Sequence, residues 1–293
     1  MSTADSIGAR LGELLSLDDK GIYSLHRMAV YVVVGVALAF FGFPIYWMVI
    51  SSFKPRESIL AYPPEFIPSE ITLANYERLF FETAYATWLT NSLIVTGGVI
   101  VLSVGLSTLA GYALTRYRIP YKKSFAAIFI LAYMFPPITL GVPYFIIFLN
   151  LGLIDTLPAV MLGTTAFTLP FCTWLMWQFF QTVPISLEEA AWSNGASRIR
   201  GIFEVAIPSA APGIVAVTIY SFALGWNNFL FAFIFLQSPD QQVLTTGIQN
   251  FLQGSQIVWS NLMAAAAVLS LPPILLVLFL NRYIMAGFAV QAN

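Results

Sequence analysis

Charged residues are scarce in this chain. Asp, Glu, Lys and Arg together make up 9% of the 293 residues, whereas hydrophobic residues make up 58%. Soluble globular chains carry about 25% charged residues, so the composition excludes a soluble domain and predicts an integral membrane protein. The formal net charge is −1, which gives no indication of the basic surface that nucleic-acid binding requires.

Cysteine and histidine are almost absent as well. The single Cys172 excludes an internal disulfide, and one cysteine with one histidine, His26, excludes a His/Cys metal cluster. None of the lysines follows a glycine-rich run, so the chain lacks a phosphate-binding loop of the G-x-x-x-x-G-K-[ST] type. We therefore expect no catalytic residue, no metal and no cofactor on this chain. Cys172 lies in an apolar run, which favours a buried packing role.

Long runs without charge divide the rest of the sequence. A helix needs about 20 apolar residues to cross the hydrocarbon core, and six runs are long enough after their polar ends are trimmed. They predict an all-α membrane protein with six transmembrane helices, near residues 28–51, 89–113, 125–149, 157–180, 210–236 and 262–281. Pro136–Pro137 and Pro272–Pro273 fall inside two of these helices and predict kinks, which serve either packing or pore gating.

Basic residues fall mostly on one side of the predicted bundle. Six spans place both termini on the same side, which receives Arg10, Lys20, Arg27, Arg116, Arg118, Lys122, Lys123, Arg198, Arg200 and Arg282. The opposite side receives only Lys54, Arg56 and Arg78. Basic residues favour the cytoplasmic side, so we expect both termini and the loops 114–124 and 181–209 in the cytoplasm, with 54–87 and 237–260 outside.

A charged loop, residues 184–208, lies between the fourth and fifth predicted spans. It carries Glu188, Glu189, Arg198, Arg200 and Glu204, with long charge-free runs on either side. A membrane protein that keeps such a segment between two spans is expected to present it to a partner in water.

Two short helices are predicted within the charged loop. Ser186 followed by Glu189 predicts a capping box at the start of the first helix. Gly195 can take the left-handed conformation that ends this helix. Ser197 predicts the N-cap of a second helix, which Pro208 is expected to end.

The spacing in this loop resembles a known family. It is similar to the EAA loop of permease subunits of binding-protein-dependent ABC importers. The matching pattern is Glu189-Ala190-Ala191, three residues, Gly195, nine residues, and then Val205-Ala-Ile-Pro208. We call residues 184–208 the EAA loop. Further motifs resemble the carbohydrate-uptake branch, and within it the shorter, maltose-type permease with six spans: Asn91-Ser-Leu, Tyr112-Ala-Leu-Thr-Arg-Tyr-Arg, Leu151-Gly-Leu, Phe179-Phe, Ser221-Phe, Trp226-Asn227, Thr245-Thr-Gly-Ile-Gln-Asn250, Leu271-Pro272 and Arg282-Tyr283.

The resemblance implies a type I ABC importer transmembrane domain and a set of partners. The permease domain would cover residues 28–284, between a cytoplasmic segment 1–27 and a cytoplasmic tail 285–293. A second, homologous permease would complete the translocation path, two cytoplasmic ATPase subunits would hold ATP and Mg, and a solute-binding protein would deliver a sugar or oligosaccharide. The implied ATPase-coupling residues are Glu188, Glu189, Ala190, Ala191, Gly195 and Pro208.

Two other classes of membrane protein are weighed against this interpretation. A proton-coupled secondary transporter uses ionisable residues inside the membrane, but every charge here can be placed in a loop, a terminus or a span end. Sodium coupling through backbone carbonyls stays open. A membrane enzyme would need catalytic groups, and no carboxylate pair lies within a predicted span.

Amides and aromatic side chains are the candidate cargo contacts. Because the predicted spans offer no charge to balance a charged molecule, we expect neutral, polar cargo. The resemblance implies one leading exception, a phosphorylated glycerol ester, which members of the same branch handle. Amides and aromatics suit hydroxyl groups and sugar rings. The candidate path residues are Asn91, Trp226, Asn227 and Asn228. For Asn227 and Asn228, hydrogen bonding between helices is the alternative role.

The glutamine-rich loop, residues 237–260, faces outward in this topology. The resemblance implies that such a loop meets the solute-binding protein. The candidate contacts are Gln249, Asn250, Phe251 and Gln253. An ordinary solvated loop is the alternative.

The predicted topology can be tested with single cysteines at Ser197 and Ser238 in a Cys172→Ser background. Because the two positions fall on opposite sides of the predicted bundle, a membrane-impermeant maleimide added to intact cells should label the cysteine at 238 and spare the one at 197. Labelling of both from outside would contradict the topology.

Overall fold

The computed structural model describes the backbone of residues 3–252 and 257–290, and the side chains of residues 27–122, 124–252 and 257–279. These ranges contain helices, turns and irregular loops, and no strand occurs in them. This confirms the all-α prediction. The helices are α1 (Thr3–Ser52), α2 (Ala74–Phe81), α3 (Tyr85–Arg116), α4 (Lys122–Tyr133), α5 (Pro137–Asn150), α6 (Leu157–Thr182), α7 (Ser186–Ser193), α8 (Arg198–Gly201), α9 (Ile207–Ser209), α10 (Ala211–Trp226), α11 (Leu230–Phe235), α12 (Leu244–Gly247) and α13 (Trp259–Val290).

Four helices are long and apolar enough to cross a membrane. They are Arg27–Ser52, Tyr85–Arg116, Leu157–Thr182 and Trp259–Phe279. Two bent pairs bring the number of spans to as many as six: Ser124–Tyr133 with Pro137–Asn150, and Arg198–Ser209 with Ala211–Trp226.

The third predicted span is bent sharply at its prolines. α4 and α5 meet at 93°, and Pro136 takes an extended conformation (φ −58°, ψ 130°) that starts α5 at Pro137. A proline has no backbone N–H and pushes the residue before it out of the helical region, so Pro136–Pro137 cannot continue α4. Pro272 and Pro273, by contrast, lie inside α13, which does not end at them.

The expectation of one continuous fifth helix over residues 210–236 is wrong. α10 ends at Trp226, and α11 begins only at Leu230. The side-chain oxygen of Asn228 accepts hydrogen bonds from the backbone N–H groups of Phe231 (3.2 Å) and Ala232 (3.4 Å). A short amide side chain competes well for free N–H groups at a helix start, so Asn228 starts a new helix where hydropathy alone predicted an unbroken one.

The core of the fold is the packing of α3 against α6 and α10. Small residues permit close approach of the helices, as is common in membranes. A side chain at Gly111 would meet the backbone of Met176 and Trp177 on α6. The hydroxyls of Ser103 on α3 and Thr168 on α6 lie 3.0 Å apart. Cys172 is fully buried beside them on α6, which confirms its predicted packing role.

The membrane segment of α1 lies at the edge of the molecule. It packs alongside α13, and no residue in its most apolar stretch is buried within the chain. Its surface is therefore left for lipid or for another subunit.

The close contact of α3 with α6 predicts the effect of adding one methyl group at Gly111. In Gly111→Ala the new Cβ would lie 2.7 Å from Cβ of Met176 and 2.8 Å from its carbonyl carbon. Overpacking of this kind costs about 1–3 kcal/mol, so the thermal unfolding midpoint in detergent should fall. Gly97→Ala, in the same helix, is the matched control because nothing lies within 4 Å of its added Cβ. A midpoint for Gly111→Ala equal to that of the control would contradict tight α3–α6 packing.

Candidate functional site

The EAA loop forms two helical arms joined by a tight turn. Gly195 has a φ of +88°, the left-handed conformation that was predicted. Around it the N–H of Ala196 bonds to the carbonyl of Ala191 (3.0 Å) and the N–H of Gly195 to that of Trp192 (2.9 Å), which ends α7 as in a Schellman turn. The hydroxyl of Ser197 accepts from the N–H of Arg200 (3.2 Å), which confirms the predicted N-cap of the second arm.

The predicted capping box at Ser186 is wrong. α7 already includes Ser186, its N-cap is Ile185, and the cap makes no side-chain hydrogen bond. Ile185 has helical backbone angles (φ −64°, ψ −25°), and its carbonyl accepts from the N–H of Glu189 (3.1 Å). The helical conformation thus begins too early for Ser186 to act as the half-extended residue that a capping box needs.

The second arm contains one widened turn before the next span. Residues Ile202–Ala206 form a π turn between α8 and α9. Pro208 has no N–H for the carbonyl of Glu204 four residues earlier, and such a gap is a usual cause of a local change in helical pitch. The arm continues one residue past Pro208, to Ser209, and then bends by 73° into α10.

Glu188 is buried and holds α7 against the end of α3. Its carboxylate accepts a hydrogen bond from the hydroxyl of Tyr112 (2.7 Å) and forms an ion pair with Nε of Arg116 (2.6 Å). Arg116 also donates to the carbonyl of Val183 (2.9 Å), at the end of α6. Sequence reasoning placed Glu188 among the ATPase-coupling residues but gave no role to Tyr112 or Arg116. Their spacing of four residues, on one face of a helix at the end of a span, was the available signal.

The EAA loop also exposes large apolar side chains. Leu187 is 46% exposed, Ile199 69% and Phe203 59%. Glu189 and Ala190, two of the predicted coupling residues, are exposed on the same helix as Leu187. Such a surface, apolar and with a free carboxylate, is typical of an interaction site.

The two arms are held together at Trp192. A Cβ added to Gly201 would lie 2.7 Å from Nε1 of Trp192, and the guanidinium of Arg198 lies 5.4 Å from the centroid of a Trp192 ring. The arms are therefore packed against each other at this point.

Three of the four candidate path residues use their side chains for hydrogen bonds to other parts of the chain. The amide of Asn91 donates to the carbonyls of Asp240 (2.9 Å) and Gln242 (2.8 Å). Trp226 is buried and donates to the carbonyl of Leu269 (3.1 Å). Asn228 is buried and donates to the hydroxyl of Thr164. These side chains connect helices and loops within the chain, and the bond of Asn228 to Thr164 on α6 is the kind of contact that was the alternative for that residue.

Asn227 differs from the other three. Its side chain is exposed, and its amide donates to the carbonyl of Ala223, one turn back on α10 (2.9 Å). It also stands at the break between α10 and α11. Of the four, it is the one whose side chain lies at the surface of the isolated chain.

The described part of the glutamine-rich loop makes contacts within itself and with α3. Asn250 is exposed and donates to the side chain of Gln242 (2.8 Å), and the ring of Phe251 lies 5.7 Å from that of Trp88. Gln249 is partly buried. Gln253 lies outside the described residues.

Asp155 holds the start of this loop. Its carboxylate accepts from the N–H groups of Gln237 and Ser238, both at 2.8 Å, and from the hydroxyl of Ser238. The Ser238 hydroxyl and the two N–H groups lower the pKa of the Asp155 carboxyl below its ordinary value. The charged form that makes these bonds is therefore present through the neutral range of pH.

The buried ion pair predicts a specific pattern of stability. In Arg116→Met, Glu188 would stay buried without a counter-charge, and breaking such a pair costs about 3–5 kcal/mol. The unfolding midpoint in detergent should fall sharply. The double variant Arg116→Met with Glu188→Met should recover most of the loss, because apolar replacement of both partners is often neutral. A double variant no more stable than Arg116→Met would contradict this account.

Known proteins resemble the chain over nearly its whole length. Residues 103–289 match the family described as binding-protein-dependent transport system inner membrane component. The inner membrane ABC transporter permease protein YcjP of Escherichia coli K12 is 32% identical over 266 residues, which cover 90% of this chain and 95% of that protein. The trehalose/maltose transport system permease protein MalG of Thermococcus litoralis is 32% identical over 256 residues, covering 85% and 90%.

A solved structure shares the fold. A bacterial ABC transporter involved in the import of the acidic polysaccharide alginate contains a chain that superposes with a TM-score of 0.75 at 20% identity, covering 97% of this chain and 98% of that one. These findings confirm the resemblance and the transport role, rather than an enzymatic one, that were predicted from the EAA spacing. The chain belongs to the binding-protein-dependent transport system inner membrane component family and is a multi-pass permease subunit.

Proposed function

We propose that this chain is one of two permease subunits in an ATP-driven importer of a sugar or oligosaccharide. A homologous permease completes the translocation path, two ATPase subunits bind the EAA loop, and a solute-binding protein delivers the cargo on the opposite side. ATP and Mg belong to the ATPase subunits. The observation that carries the proposal is the EAA loop, an exposed two-armed surface that a buried ion pair fixes to the end of a span.

The ATPase-docking surface combines apolar and acidic groups. Leu187 and Glu189 on α7 and Ile199 and Phe203 on the second arm are exposed. An apolar surface of this kind gains stability when a partner removes it from water, at roughly 25 cal/mol per Å² of buried apolar area. Glu189 then meets the ATPase, whereas Glu188 acts from inside by holding α7 in place. Gly195 shapes the turn between the arms.

The distribution of basic residues supports the orientation. The side that contains the EAA loop and both termini carries ten of the thirteen lysines and arginines, and basic residues favour the cytoplasm. In this orientation the membrane is the cytoplasmic membrane of a cell, the EAA loop meets the cytoplasmic ATPases, and the glutamine-rich loop faces the solute-binding protein through Gln249, Asn250, Phe251 and Gln253.

The cargo is a saccharide that carries no net charge. The protein of Thermococcus litoralis is named for trehalose and maltose. The four helices of this chain that are long enough to span a membrane, within the described residues, carry charged residues only at their ends, Arg27 and Arg116, which suits an uncharged cargo. The alginate importer, which resembles this chain at only 20% identity, is described as carrying an acidic polysaccharide, so charge is the property that an uptake assay must compare. Asn227, exposed at the α10–α11 break, is the path residue of this subunit.

The proposal is tested by purifying the complex from its own host and measuring uptake in proteoliposomes that also contain its solute-binding protein. ATP-dependent, saturable uptake of a neutral saccharide is expected, in preference to an acidic one of similar size. Gly195→Asp should lose both the co-purifying ATPase and uptake, because a side chain at φ +88° is strained and the turn between the docking arms would shift.

Gly152→Asp provides the matched control. Gly152 also has a positive φ (+68°) and open space around its Cβ, but it lies between α5 and α6, away from the EAA loop. That variant should retain the ATPase. A chain that co-purifies with no ATPase, or a complex that transports only amino acids, polyamines or inorganic ions, would contradict the proposed function.

A further inference from the structure

The segment that follows α1 folds back along the end of that helix. We call residues 54–73 the outer hairpin. The ring of Phe66, in the middle of the hairpin, packs against the rings of Phe43 (6.4 Å between centroids) and Trp47 (5.8 Å) inside α1. The hydroxyl of Tyr46 donates to the carbonyl of Phe66 (2.6 Å). The outer hairpin thus reaches back to the level of residues 43–47, well before α1 ends at Ser52.

A buried lysine holds the outer hairpin in this position. The side chain of Lys54 is fully buried. Its ammonium donates to the carbonyl of Glu65 and lies 4.3 Å from the centroid of a Trp47 ring, an arrangement that stabilises a cation where water is excluded. The N–H of Thr72 donates to the carbonyl of Phe53 (2.8 Å) and closes the base of the hairpin. The hairpin is therefore fixed to the end of α1 at both its base and its middle.

The length of α1 places this packing at the boundary of the membrane. The span Arg27–Ser52 has 26 residues. At 1.5 Å per residue it is about 39 Å long, whereas the hydrocarbon core is about 30 Å thick, so the ends of the span extend into the headgroup regions. Tyr46 and Trp47 lie near one end, and these two residue types are enriched at the boundary between acyl chains and headgroups. We therefore expect the outer hairpin in the headgroup region of the leaflet opposite the EAA loop.

The surface of the outer hairpin is rich in large apolar side chains. Leu60, Tyr62, Ile67 and Ile71 are all strongly exposed, from 71% for Ile71 to 95% for Tyr62. An exposed apolar surface of this kind marks contact with a membrane or another molecule. It adjoins the membrane segment of α1, whose most apolar stretch has no buried residue, so the two surfaces suit the same surroundings.

A cavity of about 430 Å³ lies beside the outer hairpin, at the start of α13. Its lining residues are Arg56, Leu60, Ile257, Trp259 and Ser260. Arg56 is exposed and forms no ion pair with any described residue. The hydroxyl of Ser260 is buried and has no hydrogen-bond partner within the same part of the chain. An arginine and a free hydroxyl in an otherwise apolar cavity fit a phosphate that carries hydrocarbon chains.

We propose that the outer hairpin and this cavity bind a phospholipid of the surrounding bilayer. The guanidinium of Arg56 binds the phosphate through parallel N–H donors, and the hydroxyl of Ser260 donates a further hydrogen bond. Leu60, Trp259 and the exposed side chains of the hairpin contact the acyl chains. A phospholipid combines in one molecule the anion and the apolar chains that the site requires, at the level of the membrane where both are present. The proposal needs α1 to span the membrane and is independent of the cargo and of the ATPase.

A nitroxide at residue 67 tests the surroundings of the outer hairpin. Ile67→Cys is labelled in a Cys172→Ser background, and the assembled complex is placed in nanodiscs of phosphatidylglycerol and phosphatidylcholine. Electron paramagnetic resonance then measures collisions of the nitroxide with oxygen, which concentrates in hydrocarbon, and with a water-soluble nickel chelate. High oxygen and low nickel accessibility are expected at residue 67. The reverse is expected for Asp240→Cys, because Asp240 is exposed on the glutamine-rich loop.

The same measurement distinguishes lipid from the two other surroundings. High nickel accessibility at residue 67 would place the outer hairpin in water. Low accessibility to both reagents would place it under another protein subunit. Either result would overturn the proposal.

Arg56→Gln tests the phosphate contact. The purified complex in detergent is titrated with phosphatidylglycerol, and bound lipid is counted by native mass spectrometry. Because Arg56 is exposed, the variant should assemble normally, while the apparent Kd of the most tightly bound lipid rises several-fold. Arg78→Gln is the matched control, since it removes an arginine from the same side of the membrane but from α2, outside the cavity lining.

Two results would overturn the phospholipid site. One is an unchanged Kd in Arg56→Gln, or a rise that Arg78→Gln reproduces. The other is displacement of the lipid by an excess of inorganic phosphate, which would make the cavity a site for the free anion. Retention of the lipid in that excess is expected, because inorganic phosphate lacks the chains that the apolar wall contacts.

Discussion

Glu188 has no contact with water, and a buried carboxylate stays in the fold only when a positive group and hydrogen bonds compensate for its lost hydration. Arg116 supplies the charge and Tyr112 the second hydrogen bond. An apolar contact would let α7 slide along α3, whereas an ion pair with fixed geometry specifies one position. Since α6 leads into α7 and Arg116 also binds the carbonyl of Val183, the ends of α3 and α6 and the EAA loop form one mechanical unit.

Two buried amide side chains elsewhere in the chain also have hydrogen-bond partners that compensate for their lost hydration. An amide in a membrane protein is stable where it finds partners, and such partners are often backbone groups freed by breaks and loops. The amide of Asn91 donates to carbonyls of the glutamine-rich loop, and the side-chain oxygen of Asn228 accepts from free N–H groups at the start of α11. The candidate path thus contains fewer free amides than its composition suggested.

Hydropathy and turn chemistry predicted the parts of the fold that depend on local sequence. The all-α class, the left-handed turn at Gly195 and the N-cap at Ser197 each follow from a few neighbouring residues, and the family follows from the spacing around Glu189. The break at Asn227–Asn228 has a local cause, the cap that Asn228 makes with Phe231 and Ala232, which hydropathy alone does not register. The pairing of Glu188 with Arg116 could not be predicted in this way, because it depends on which side chains lie close together in space, and the partners of Glu188 are 72 and 76 positions away in the sequence.

The exposed apolar surface of the EAA loop also has a consequence for how the subunit is made. Leu187, Ile199 and Phe203 stand in water for as long as no partner covers them, and apolar groups of that size on one surface favour aggregation. A cell that produced this subunit in excess of its ATPase would accumulate chains with an adhesive patch next to the membrane. Balanced synthesis of the subunits, or rapid proteolysis of the unassembled one, is therefore a requirement that the shape of this loop imposes on its host.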